Sequence, residues 1–348
     1  MHILISMFGK GLGGIEQCLL DYAEALINEG HQVTCFIQPA AAIKNEIIKL
    51  RNVNILEIKN HGQWDIFAKF TLKKKLKNLA PDIMIAHGNR ALNLLYKKHD
   101  APLVTVTHNY KLKHIKKADA VIALTTDLEN EAINNGADKK NIYRVPNMIR
   151  LSDVNVKNDS TLKSPPVIGA MGRLVKKKGF DIYLKALKKL KDDGIEFKAI
   201  LAGNGEEDYN LKLLAKELNL TEKDLTFSGW VNDKEFFFSQ LDIFCTPSLH
   251  EPFGIIVLES LARNIPTISS DSEGPSEILT HNENALLYST HDENALAESI
   301  KLLLENDKLR KTISQNGIKL IKEMYDINIV GKKLSDTLIQ IKNLTHKY

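Results

Sequence analysis

Short apolar runs recur along the chain, and most are followed by a glycine- or asparagine-rich turn and then by apolar residues at helical spacing. Residues 2–8 form the first run. Gly9, Gly11, Gly13 and Gly14 follow, and then Ile15, Leu19, Leu20, Ala23 and Leu26 mark one face of a helix. Further strands are expected at 33–37, 54–58, 83–86, 103–107 and 120–124, then at 167–171, 199–202, 227–231, in the run ending at Phe244, and at 266–270. From Ala295 to Tyr348 the pattern is helical. Strand and helix in alternation imply an α/β, doubly wound architecture in which ligands bind beyond the strand C-termini. A polar stretch at 152–164, closed by Pro165 and Pro166, reads as a linker between domains at 1–149 and 165–328.

One stretch carries the most chemistry. After Phe244, Pro247 and Pro252 break the strand, and Ile255, Leu258, Leu261 and Ala262 return at helical spacing, so a helix starts near Gly254. Its first turn has unpaired N–H groups and the positive end of the helix dipole. A glycine there leaves room for an anion. Glu251 precedes this seat and Glu259 follows it, with a side chain that tilts back toward the helix N-terminus. Carboxylates can hold the hydroxyl pairs of sugars, so a phosphate seat between two of them suggests a nucleotide-sugar; the alternative is that Glu251 is a plain loop acid and Glu259 a partly solvated helix residue.

Length and charge narrow the field without naming a reaction. A chain of 348 residues suits two α/β domains, and a net charge of +4 without a recognition helix or zinc-finger spacing does not argue for nucleic acid. Cys18, Cys35 and Cys245 are odd in number and widely spaced, which indicates neither a disulfide framework nor a metal site. No run approaches the roughly 18 apolar residues of a membrane span, and the N-terminus lacks a signal peptide's pattern, so a cytoplasmic location is expected. Charge is uneven, however. Residues 61–120 hold twelve Lys or Arg against four Asp or Glu, with Lys69, Lys73 and Lys77 as one stripe and Lys111, Lys113, Lys116 and Lys117 as a second cluster. These are either solvated helix faces or a surface for anionic lipid or a phosphorylated acceptor.

Two basic residues of the second half read either as part of a solvated loop or as partners of a diphosphate. Arg173 and Lys178, in the loop after the strand at 167–171, can neutralise charge on a leaving phosphate. Gly203 ends the strand at 199–202 in a tight turn, and His108 stands just past the strand at 103–107. The first glycine loop does not spell G-x-G-x-x-G, and Gln38 occupies the place where a dinucleotide enzyme carries its ribose acid. That weakens a nicotinamide dehydrogenase reading.

Glu251-Pro252-Phe253-Gly254 with Glu259 eight places after the first glutamate resembles the E-x7-E signature of the retaining glycosyltransferases of family four, the glycosyl transferases group 1, which have the GT-B fold. Gly172-Arg173-Leu174 with Lys178-Gly179, and Gly203-Asn204-Gly205, are similar to further motifs of that family. The resemblance implies two Rossmann-like domains facing a cleft, with a last helix at about 329–344 crossing back to the first, acceptor-binding domain. It implies Arg173 and Lys178 on the donor diphosphate, Glu251 on the donor sugar, Glu259 on the ribose, and Phe253, Gly254 and Ile255 around the phosphates. It further implies Trp230 and Val231 against the base, His108 near the reacting carbon, and Gly13 and Gly14 approaching the phosphates. Residues 273–278 resemble the family's loop before its next helix. The expected activity is transfer of a sugar from a nucleoside diphosphate sugar to a hydroxyl of a glycan or lipid-linked acceptor in bacterial cell-surface glycan synthesis. No cofactor or metal is expected. The alternative on the same fold is a non-catalytic nucleotide-sugar-binding subunit.

Overall fold

A computed structural model describes residues 1–11, 13–157 and 161–345. Leu12 of the first glycine loop, residues 158–160 of the expected linker and the end of the helical tail lie outside them. The chain divides into two compact units, Met1–Met148 with Tyr325–Tyr348, and Ile149–Met324.

The first unit is built on seven parallel strands: β1 (His2–Ser6), β2 (Gln32–Ile37), β3 (Val53–Glu57), β4 (Ile83–His87), β5 (Leu103–Thr107), β6 (Ala120–Ala123) and β7 (Ile142–Arg144), in the order β3-β2-β1-β4-β5-β6-β7. Ile3, Leu4 and Ile5 of β1 are fully buried, as a strand covered by helices on both faces must be. Order reverses between β1 and β4, which makes their C-terminal ends a ligand-binding crevice in folds of this kind. The terminal helix Ile327–Thr345 packs on the first helix, Gly14–Asn28, so closely that a side chain on Gly331 would stand 2.9 Å from the Ala25 Cβ. His31 Nε2 lies 2.7 Å from Ser335 Oγ, and Lys342 Nζ donates to Asp82 Oδ1 at 2.6 Å.

The second unit repeats the plan with six parallel strands: β8 (Val167–Met171), β9 (Lys198–Ala202), β10 (Leu225–Gly229), β11 (Ile243–Thr246), β12 (Thr267–Ser270) and β13 (Leu286–Tyr288), ordered β10-β9-β8-β11-β12-β13. The switch falls between β8 and β11. Its core gathers Ile168, Tyr183, Leu187, Leu201, Ile243, Ile268 and Ile300. Two sequence expectations need correction here. The strand expected at 227–231 is β10, which stops at Gly229: its register with β9 shifts after Phe227 and Gly229 turns to φ +67°. Residues 273–278 are themselves a helix, Glu273–Ile278, and not the loop before one.

The linker is not a free spacer where it is described. Asp242, almost fully buried, accepts from Lys157 Nζ at 2.9 Å, from the Lys163 N–H at 3.2 Å and from the Val167 N–H at 2.9 Å. A buried carboxylate must be satisfied, and these bonds draw the segment onto the second unit.

Candidate functional site

In the second unit the candidate residues collect where β8, β9, β11 and β12 end. The loop after β8 runs through Gly172 and Arg173 into a short 3-10 turn at Lys176–Lys178. Gly179 closes that turn at φ +62°, where a Cβ would meet the Pro247 carbonyl oxygen at 2.0 Å, so only glycine lets the two segments touch. The Lys177 carbonyl then accepts from the Leu249 N–H at 2.8 Å. This zipper sets the Lys178 ammonium on the Glu251 carboxylate, an ion pair in which both side chains are largely shielded from solvent. The sequence assigns these residues to phosphate and sugar separately; here each is the other's partner. Arg173 is exposed, with no ion pair among the described residues.

Gly254 sits at φ +93°, in the left-handed region, and opens the helix Ile255–Ala262. No side chain caps that helix, so its leading N–H groups point outward. Phe253 is buried and Ile255 partly so. Behind the Glu251 loop stands Glu273, the first residue of its helix, which accepts from the Glu251 N–H at 3.1 Å and holds His250 Nδ1 at 2.9 Å. Burial alone would raise the Glu273 carboxyl, but the bonds from His250 and the backbone hold it below the usual range. Glu273 is thus the support that orients Glu251.

Glu259 lies a turn further along, only 7 % exposed. Its Oε1 accepts from Lys234 Nζ at 2.5 Å, while Oε2 is buried with no partner among the described residues. An open acceptor on a buried carboxylate is costly unless something donates to it. Gly203, at φ +139°, passes so close to β8 that a Cβ would stand 1.8 Å from the Gly172 carbonyl oxygen. Trp230 and Val231 follow β10 rather than belonging to it. Trp230 is 52 % exposed.

The first unit gathers a second group. His108, just beyond β5, stacks on His87 from the end of β4, with ring centroids 5.1 Å apart and His108 Nε2 2.9 Å from His87 Nδ1. Burial pushes His108 down to about 4 and His87 well below the ordinary imidazole value, the latter helped by its neighbour. Both are therefore neutral at neutral pH. His87 Nε2 is buried without a partner among the described residues, and Tyr22 meets the ring edge-on at 5.2 Å. Cys18, His87 and His108 bring their ligand atoms within 4.8 Å of one another, a thiol and two imidazoles that can hold a zinc-type ion. Burial raises the Cys18 thiol well above its usual value, so binding there would have to displace a proton.

Gly9 and Gly13 lie against the start of the helix Gly14–Asn28. Gly13 caps the helix Gly14–Asn28, and a Cβ on Gly9 would fall 2.6 Å from a Glu16 carboxylate oxygen. Gln38, at the end of β2, is buried and donates to the Asn60 carbonyl at 2.7 Å, so it cannot stand in for a ribose acid.

Sequence reasoning missed Lys234, His87, Glu16 and the supporting role of Glu273. Each is brought to its partner by packing. Only Glu16, two places after the paired glycines, carried a local signal, an acid in a helix's first turn.

Comparison with known proteins bears on the family and the fold. Residues 154–320 match the family model for glycosyl transferases group 1, and residues 12–153 match that for glycosyltransferase family 4. The chain is 28 % identical over 315 residues to the lipopolysaccharide core biosynthesis glycosyltransferase LpsE of Rhizobium meliloti, covering 89 % of this chain and 91 % of that one. It is 26 % identical to LpsD of the same organism, over 93 % of this chain and 94 % of the relative. In three dimensions it is similar to Anabaena HepE, solved with UDP and glucose, with a TM-score of 0.84 and 21 % identity over 98 % of this chain and all of that one.

Proposed function

The chain belongs to the family-four, group 1 glycosyltransferases of GT-B fold, and from that membership we propose that it moves a sugar from a nucleoside diphosphate sugar to a hydroxyl acceptor with retention of configuration. The donor's anomeric C–O bond breaks and the nucleoside diphosphate leaves. The acceptor oxygen bonds the anomeric carbon from the same face, and its proton passes to the departing phosphate. Arg173, Lys178 and the N–H groups of the helix Ile255–Ala262 take up the charge on the diphosphate. Glu251, held by Glu273, binds hydroxyls of the donor sugar. His108, neutral and braced by His87, accepts or donates a hydrogen bond near the reacting carbon without adding charge. The acceptor is a saccharide of a cell-surface glycan, free or lipid-linked, a reading supported by relatives named for lipopolysaccharide core synthesis.

The observation that carries this reading is Glu259, a buried carboxylate with one oxygen held by Lys234 and the other open. A ribose diol supplies the missing donor. Glu259→Ala is expected to weaken donor binding by about 1–3 kcal/mol, roughly 5- to 150-fold in Kd, with a smaller effect on turnover at saturating donor. Isothermal titration with nucleoside diphosphate sugars checks this, and unaltered affinity would remove the ribose assignment. A binding subunit without activity would take up donor yet neither transfer nor slowly hydrolyse it.

With two cations and a helix N-terminus assigned to the leaving group, no divalent ion is required of the reaction. Transfer rates in excess chelator are expected to match those without it. A loss restored by magnesium would show that the phosphate charge is neutralised in another way.

A further inference from the structure

The helix Ile66–Leu79 of the first unit has two apolar faces. Ala68, Leu72 and Leu76, spaced four apart, are buried in the unit's core. On the opposite side Ile66 is 78 % exposed, Phe67 88 % and Phe70 73 %, and Trp64 in the preceding turn is 65 % exposed. Lys73, Lys74 and Lys77 continue the aromatic side along the next turns, and all three are exposed. Lys69 Nζ stands 5.4 Å and Lys117 Nζ 5.7 Å from the Trp64 ring centroid, so cations line the patch and fix its indole. The patch is held in shape. Asp65 accepts from the Ala68 N–H and the His61 N–H, each at 2.9 Å, which caps the helix and fastens the turn that carries Trp64.

Four large apolar side chains together in water, in the one stretch of the chain where residues 61–120 carry an excess of eight positive charges, need a partner. We propose that this face seats on an anionic phospholipid bilayer, with Trp64, Ile66, Phe67 and Phe70 entering the boundary between headgroups and acyl chains and Lys69, Lys73, Lys74 and Lys77 at the level of the phosphates. Charge decides against the simplest rival, a second copy of the chain. A two-fold interface would press these lysines against their own counterparts, whereas an anionic surface neutralises them. Indole and lysine are also the side chains that suit an interface, apolar in body and polar at the tip. The contact goes beyond the transfer reaction and depends on it only for its purpose, the delivery of the enzyme to a lipid-linked acceptor.

The test is sedimentation of the full chain with vesicles of phosphatidylcholine alone or mixed with phosphatidylglycerol, at low and high salt. The wild type is expected to sediment with the anionic vesicles at low salt and much less with neutral ones. Phe67→Ser combined with Phe70→Ser is expected to weaken that partition at least about tenfold at either salt. Lys73→Glu combined with Lys74→Glu and Lys77→Glu is expected to remove the salt-sensitive part. Both variants change exposed residues only, so their melting temperatures and donor hydrolysis are expected to stay at wild-type values. Failure of donor binding in the wild type would bear on the transferase reading alone. The membrane proposal is overturned if the wild type ignores anionic vesicles at low salt, if the serine variant binds them equally, or if the wild type forms a dimer in solution that the serine variant abolishes.

Discussion

Lys178→Ala is expected to lower kcat by about 10²–10³-fold, the loss typical of removing one preorganised group from developing charge. The ammonium lies on the Glu251 carboxylate, so the substitution also leaves Glu251 without its cation in a largely shielded place. Glu251→Ala should therefore slow turnover too, and the pair should act as a unit: the double variant is expected to be little worse than the weaker of the two single ones. Initial rates at saturating donor, measured for all three, form the cycle. Fully additive losses would mean that the two residues serve separate steps and that their contact has no part in the chemistry.

Gly203→Ala is expected to destabilise the second unit by about 3 kcal/mol or more, lowering its melting temperature by roughly 6–12 °C. The reason is local and steric. At φ +139° a Cβ would lie 1.8 Å from the Gly172 carbonyl oxygen, so β8 and β9 would have to part just where the loop carrying Arg173 begins. Gly194→Ala is the control, since that glycine also has a positive φ, +75°, yet nothing lies within 4 Å of its Cβ. Thermal melts of the two variants separate close approach from left-handed strain alone. Equal losses would show that contact with Gly172 is not what requires glycine at 203.

Much of the second unit is legible in the sequence because its signals are local. A strand, a proline break, a glycine and an apolar helix follow one another from Phe244 to Ala262, and the helix begins at Ile255 with Gly254 at its cap. β7 and β13, three residues each, are too short to show an alternation and went unread. β10 was placed two residues late because Phe227, Trp230 and Val231 have strand-like side chains, while the turn at Gly229 is made by φ, which composition does not reveal. The site was legible as single residues and not as pairs. Lys178 with Glu251, Lys234 with Glu259, and His87 with His108 are separated by 73, 25 and 21 positions, and only the sheet's register brings them together. Exposed Phe67 and Phe70 were hidden for a related reason: beside Leu72 and Leu76 they look like more of the same buried face.

The terminal helix that packs on the helix Gly14–Asn28 gives the first unit a discontinuous gene order, with the second unit inserted between its two segments. On a ribosome the seven strands of the first unit are all made by residue 144, but the helix that covers Ala25 and pairs with Asp82 follows only after the 176 residues from Ile149 to Met324. At about 5–20 residues per second, that leaves an interval of roughly 9–35 s in which a nearly finished sheet waits with one helix uncovered. In that interval the face of the helix Gly14–Asn28 on which the terminal helix packs has no cover from it. The second unit, being continuous, can close within its own stretch of translation.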